Sequence, residues 1–181
     1  IFYGRRRLEQ GETENWRRPP AEWPVFDFAL FVIYLQRGFW PFLVALVGGL
    51  VRDLLLGRPP GDMDFVVERT SVSAKPADAI EFAQALVNTH GGELTIHARF
   101  RTATWHGEHG ALDFATARLE RYAKPAALPE VLPTTLEEDL KRRDVTCNAI
   151  AWEINTNVML DPFHGVADMQ HRVLHALHPQ S

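Results

Sequence analysis

Cysteine is nearly absent. Cys147 is the only one in 181 residues, so no disulfide forms within the chain, and a reducing cytoplasm is the expected compartment. Long hydrophobic runs are absent too. The longest, 28–35 and 39–51, fall short of the ~20 residues that cross a bilayer. Gln36 and Arg37 separate them and Pro41 interrupts the second, so no membrane partner is expected. The arginine-rich start lacks the apolar core and cleavage site of a signal peptide. Neither sign of charge dominates: 19 Lys and Arg against 23 Asp and Glu leave a net −4. That argues against indiscriminate coating of nucleic acid, while leaving room for a local basic groove. There is no internal repeat and no low-complexity tract.

What is present suits one soluble domain with a real core: 46% hydrophobic and 23% charged residues. Residues 1–24, with five arginines and three prolines, read as a linker or N-terminal arm, and 25–181 as a single domain. The apolar run over 26–37 predicts a buried helix. A strand over Phe42–Val47, a short helix over Leu50–Leu56 stopped by Gly57, and a strand over Met63–Val67 follow. Helical spacing runs from Pro76 to His90 and ends at Gly91. Strands are expected at Glu93–His97, Phe100–His106 and Ala111–Thr116, the last two joined by a hairpin loop at 106–110. Residues 117–134, with three prolines and little period, predict a mobile loop. A charged helix to Arg143, a helix over Val145–Ala149, strands near Ile150–Ile154 and Val158–Leu160, and a helix over Val166–Arg172 complete the chain. The pattern is α+β, a small mixed sheet flanked by helices.

The chemistry concentrates in 48–64, Gly-Gly-Leu-Val-Arg-Asp-Leu-Leu-Leu-Gly-Arg-Pro-Pro-Gly-Asp-Met-Asp. In a strand, Asp62 and Asp64 would share one face. Two such carboxylates repel unless a cation lies between them, and hard oxygen ligands suit Mg²⁺; an ordinary Gly-Asp-x-Asp turn is the alternative. Gly48 and Gly49, between strand and helix, allow backbone to approach a phosphate at the helix start, or simply ease a tight turn. Arg52 can meet phosphate or form a structural ion pair. Leu112 and Phe114 face one way on their strand, which turns Asp113 the other way with Ala111 and Ala115, toward a site or toward solvent. The run 137–144 has the composition of a solvated helix face. From it Arg142, Arg143 and Asp144 stand out together with Asn148. Arginine forks bind phosphate, while Asp144 and Asn148, one helical turn apart, can read sugar or base edges. His106/His109 and His171/His175 have tolerable zinc spacing but no cysteine partner and no fourth ligand. Cys147 has the setting of a core residue.

Several motifs occur in one order: Leu46-Val-Gly-Gly-Leu-Val-Arg-Asp-Leu-Leu-Leu-Gly57, Gly61-Asp-Met-Asp-Phe65, 100–104, Asp113-Phe-Ala-Thr-Ala-Arg118, 122–133, Glu138-Asp-Leu-Lys-Arg-Arg-Asp-Val-Thr-Cys-Asn148, and Asp161-Pro-Phe-His-Gly-Val-Ala-Asp168. Together, over roughly 26–178, this series resembles class II tRNA nucleotidyltransferases and bacterial poly(A) polymerases. The resemblance implies a catalytic head of the DNA polymerase beta-like nucleotidyltransferase type. It implies that Asp62, Asp64 and Asp113 hold Mg²⁺, that Gly48, Gly49 and Arg52 cradle a triphosphate, and that Arg143, Asp144 and Asn148 grip the nucleotide. ATP or CTP would be the donor and the 3′ end of tRNA or another RNA the acceptor, giving CCA, A-only, CC-only or poly(A) addition. The family's helical neck carries a base-reading Glu-Asp-x-x-Arg-type motif. This chain ends about where that neck would begin, so a head without neck, body and tail is the expectation. A non-catalytic nucleotide- or RNA-binding module, and nucleotidyl transfer to a small molecule or protein, are the rival readings.

Overall fold

β1 (Phe42–Val47) is apolar along its whole length because it is covered on both faces. Val44 and Leu46 pack into one buried cluster, Leu43, Ala45 and Val47 into another, as the two-residue period of a strand requires. The computed structural model describes residues 42–59, 61–69, 78–107, 110–121, 128, 130–154 and 156–178. The expected arm over 1–24 and helix over 26–37 lie outside the described residues.

After β1 come α1 (Gly49–Leu55), β2 (Asp64–Arg69), α2 (Ala79–His90), β3 (Glu93–His97), β4 (Thr102–Gly107) and β5 (Gly110–Thr116). Next are β6 (Arg118–Arg121), β7 (Glu130–Pro133), α3 (Leu136–Lys141), β8 (Ala151–Glu153), β9 (Val158–Leu160) and α4 (Gly165–His171). Seven strands form one mixed sheet in the order β3-β4-β5-β2-β1-β8-β9, as the α+β expectation holds, and β6 with β7 forms a separate pair. Only β2 and β5 run parallel within the large sheet; its other pairings are antiparallel.

α1 and α2 cover one face of the sheet, and α3 packs with the second cluster on the other. Phe65 of β2 lies 5.1 Å from Phe114 of β5, and Phe82 of α2 closes on Phe114 at 5.2 Å. Aromatic pairs of this kind add about 0.5–1.5 kcal/mol each beyond their burial. The cluster anchors the backbone directly behind Asp64 and Asp113. Among the described residues no helix is long and apolar enough to cross a membrane.

Four expectations are corrected. Residues 117–134 are not simply a loop: β6 and β7 pair antiparallel, Arg118 opposite Pro133 and Arg121 opposite Glu130. In β6 the half-buried Arg118 and Glu120 on either side of Leu119 are charged, which hid the strand period. The strand expected from Phe100 starts at Thr102, because Arg101 takes a left-handed φ of 51° after a 3₁₀ turn over Ala98–Phe100. The helix expected from Pro76 starts at Ala79, where Asp78 accepts the N–H groups of Ile80 and Glu81. The helix expected over Val145–Ala149 is a 3₁₀ turn of Thr146–Asn148, since extended Val145 bridges to Ala176 instead.

Candidate active site

The parallel register of β2 and β5 sets Asp64 opposite Asp113. Phe65 and Phe114 bury on one face, so both carboxylates project from the other, and both are exposed there. Thr104, opposite Asp113 on β4, donates its hydroxyl to Asp113 Oδ1 at 2.6 Å. Asp62 is exposed and precedes the strand, which begins at Asp64. The i, i+2 strand argument for Asp62 therefore does not apply, although its charge still reaches Asp64. Desolvation by surrounding protein and then the Asp113 carboxylate push the Asp64 pKa above its ordinary 3.8; Arg143 pulls it down and Asp62 adds to the rise. The β2–β5 pair thus concentrates like charge on hard oxygen donors, the condition a divalent cation relieves. Among the described residues no three acidic, histidine or cysteine side chains close into a metal cage. Magnesium is commonly held by one or two carboxylates together with water and substrate phosphate, so this donor set fits it.

The β1–α1 junction supplies the other side. Gly48 has φ 68°, a left-handed conformation, and a Cβ there would stand 2.9 Å from Arg143 Nη1. Its carbonyl accepts the N–H of Arg52 at 3.2 Å. Gly49 begins α1, with Arg52 Nη2 at 3.3 Å from where its Cβ would be. Arg52 binds Asp53 with both Nε and Nη2, at 2.9 and 3.0 Å, and donates Nη1 to Asn148 Oδ1 at 2.9 Å. Of its two sequence readings the structure thus displays the ion pair. Replacing Gly48 with alanine is expected to cost ~1–2 kcal/mol through the left-handed φ. A thermal melt should show this as a fall of roughly 5 °C in a protein of this size.

Arg143 and Asn148 meet here: Arg143 Nη1 makes a long 3.5 Å contact to the Asn148 carbonyl. Burial lowers the Arg143 pKa, Asp139 raises it, Arg142 lowers it, and Asp64 again supports the cation. Asp144 is not one helical turn from Asn148. It is exposed just before the 3₁₀ turn, and its carbonyl accepts the N–H of Leu177 at 2.8 Å. Gly48, Gly49, Arg52, Arg143 and Asn148 therefore surround one corner of the sheet, with Asp64 in electrostatic reach of Arg143 and Asp113 beside it.

Sequence reasoning missed two residues. Thr104 was not singled out, although it closes the 100–104 motif; only the strand register sets it opposite Asp113. Asp139 was grouped with a solvated helix face but is fully enclosed. Its spacing was a usable signal, because Leu136, Asp139 and Leu140 fall at i, i+3 and i+4 and all three are buried.

A family model described as the poly(A) polymerase head domain matches residues 44–175. The A-adding tRNA nucleotidyltransferase of Halalkalibacterium halodurans is 43% identical over 140 residues, covering 75% of this chain and 31% of the relative. The CC-adding tRNA nucleotidyltransferase of Deinococcus radiodurans is 38% identical over 142 residues, covering 76% and 36%. A solved complex of a CCA-adding enzyme with ATP is similar with a TM-score of 0.66 at 32% identity, over 85% of this chain and 33% of that one. The chain spans about a third of the length of these proteins.

Proposed function

The chain belongs to the poly(A) polymerase head-domain family, and we propose that it is the catalytic head of a template-independent tRNA 3′-end nucleotidyltransferase. It adds C or A nucleotides, or both, from CTP or ATP and releases pyrophosphate. The observation that carries this reading is the parallel pairing of Asp64 with Asp113, two exposed carboxylates on one face beside Arg143. A binding module has little use for that repulsion. The two relatives named above are tRNA nucleotidyltransferases, which favours tRNA over poly(A) synthesis.

Asp64 and Asp113, with Asp62 at the site's edge, would hold Mg²⁺. Bound there, the metal would make the primer hydroxyl more acidic and offset triphosphate charge. Gly48, bare of a side chain, leaves room for phosphate beside Arg143, whose guanidinium supplies positive charge on that side. Arg52, already neutralised by Asp53, holds Asn148 in place and so orders the nucleotide's sugar-side partner. Asp144, exposed just before the turn that carries Asn148, would be available to the ribose. In the reaction the primer 3′-oxygen bonds to the α-phosphorus in line with the departing pyrophosphate. A reducing cytoplasm suits the free, buried Cys147.

Calorimetric titration of ATP and of CTP, with and without Mg²⁺, tests this. Metal-dependent binding of both nucleotides is expected. If neither binds in a metal-dependent way, to this chain or to the complete gene product, the reading fails.

A further inference from the structure

Arg142 and Arg143 are neighbours in sequence, and one buried carboxylate holds them both. The Asp139 side chain is 0% exposed, against 26% for Arg142 and 17% for Arg143. Its Oδ1 accepts the backbone N–H of Arg118 at 3.1 Å and Arg142 Nε at 3.1 Å. Its Oδ2 accepts Arg143 Nη2 at 3.2 Å. Arg142 continues to Glu120 Oε1 at 3.2 Å, which also takes Arg118 Nε at 3.0 Å. The Arg142 fork is therefore spent between α3 and the β6–β7 hairpin.

Arg143 is differently placed. Asp139 holds one end of its fork, while Nη1 lies over Gly48 and, among the described residues, makes only the long contact to Asn148. Its buried Nε has no hydrogen-bond partner among the described residues. Asp64, the central carboxylate of the candidate metal site, also attracts it, more weakly than Asp139 does. An arginine on a long flexible arm, released from its tether, would fall toward that carboxylate and occupy the cation's place.

We propose that Asp139 is a positioning residue, which keeps Arg143 over Gly48 for the incoming triphosphate and off Asp64. Through Oδ1 the same carboxylate fixes the first strand of the β6–β7 hairpin, so hairpin and phosphate-side arginine share one anchor. The assignment rests on the nucleotidyl-transfer reading.

The test is a double-mutant cycle on Mg-ATP binding, using the wild type, Asp139→Asn, Arg143→Gln and the double variant, with thermal melts to confirm folding. Asp139→Asn is expected to weaken Mg-ATP binding about tenfold, and to cause no further loss once Arg143 is replaced. An equal loss in both backgrounds, or an unchanged affinity in folded Asp139→Asn, would overturn the assignment. Should Asp139→Asn not fold, Asp139→Glu takes its place. It keeps the charge but moves it by one methylene, and wild-type affinity there would equally overturn the proposal. Failure of the wild type itself to bind Mg-ATP is a separate result, which removes the parent reading and this one with it.

Discussion

Replacing Asp64 with alanine in the complete gene product is expected to lower nucleotide incorporation into tRNA by roughly 10³-fold or more, about 4 kcal/mol of transition-state stabilisation. The fold should survive, because Asp64 is exposed at the first position of β2 and the strand is anchored by Phe65, Val66 and Val67 behind it. Stability should even rise. In the native protein, desolvation and Asp113 raise the Asp64 pKa above 3.8, so the folded state binds the proton more tightly than the unfolded one. By linkage, its contribution is fully present below about pH 3.8 and is lost as pH rises through the raised value. Asp64→Asn, measured without divalent metal, should therefore melt higher than wild type at neutral pH, and the gain should vanish in acid. Full activity in Asp64→Ala would sink the carboxylate site. Equal melting of Asp64→Asn and wild type at every pH would show that the paired carboxylates do not strain the fold. A site that is less stable but more useful with its charges in place is the trade-off expected of catalytic carboxylates.

The largest stability effect is expected at Gly165. An added Cβ there would stand 2.3 Å from the Thr146 carbonyl oxygen, 2.7 Å from its carbon and 3.1 Å from Cys147 Cα, all backbone atoms. No rotamer change relieves such a contact, so α4 or the 3₁₀ turn over Thr146–Asn148 must move. Both are tied down. Buried Asp161 accepts the N–H groups of Gly165 and Val166 at 2.7 and 3.0 Å, and the Thr146 hydroxyl donates to Asp168 at 2.6 Å. Gly165→Ala is expected to cost about 3 kcal/mol, roughly a 10 °C fall in melting temperature for a chain of this length. The displaced turn carries Asn148, so any folded fraction should also lose its Arg52–Asn148 hydrogen bond. A melting temperature within about 2 °C of wild type would show that this junction is softer than the close approach suggests.

Much of this was legible from local pattern. β1, β9 and the glycine pair at the start of α1 follow from apolar runs and turn chemistry within a few residues of each other. The outward direction of Asp113 followed from Leu112 and Phe114, since a two-residue period needs no knowledge of neighbours. The hairpin of β6 and β7 was not legible, because two of the partly buried positions of β6 carry charged side chains paired with one another, Arg118 with Glu120. Asp139 was hidden for a related reason: an acidic residue among Glu137, Glu138 and Lys141 has the same composition whether it meets water or two half-buried arginines. Asp144 was misplaced because a long-range bridge from Val145 to Ala176 overrode the local helical pattern.

By itself, the order of residues determined which chemical groups the protein possesses and which way each points along its own strand or turn. Tertiary structure alone decided which of them meet. Asp64 faces Asp113 because β2 and β5, distant in the chain, pair in the one register that buries Phe65 and Phe114 together under α2; a slip of either strand by one residue would turn its own carboxylate into the core. Side-chain alternation is a local property of the backbone, whereas register between remote strands is settled by the burial that the whole fold achieves.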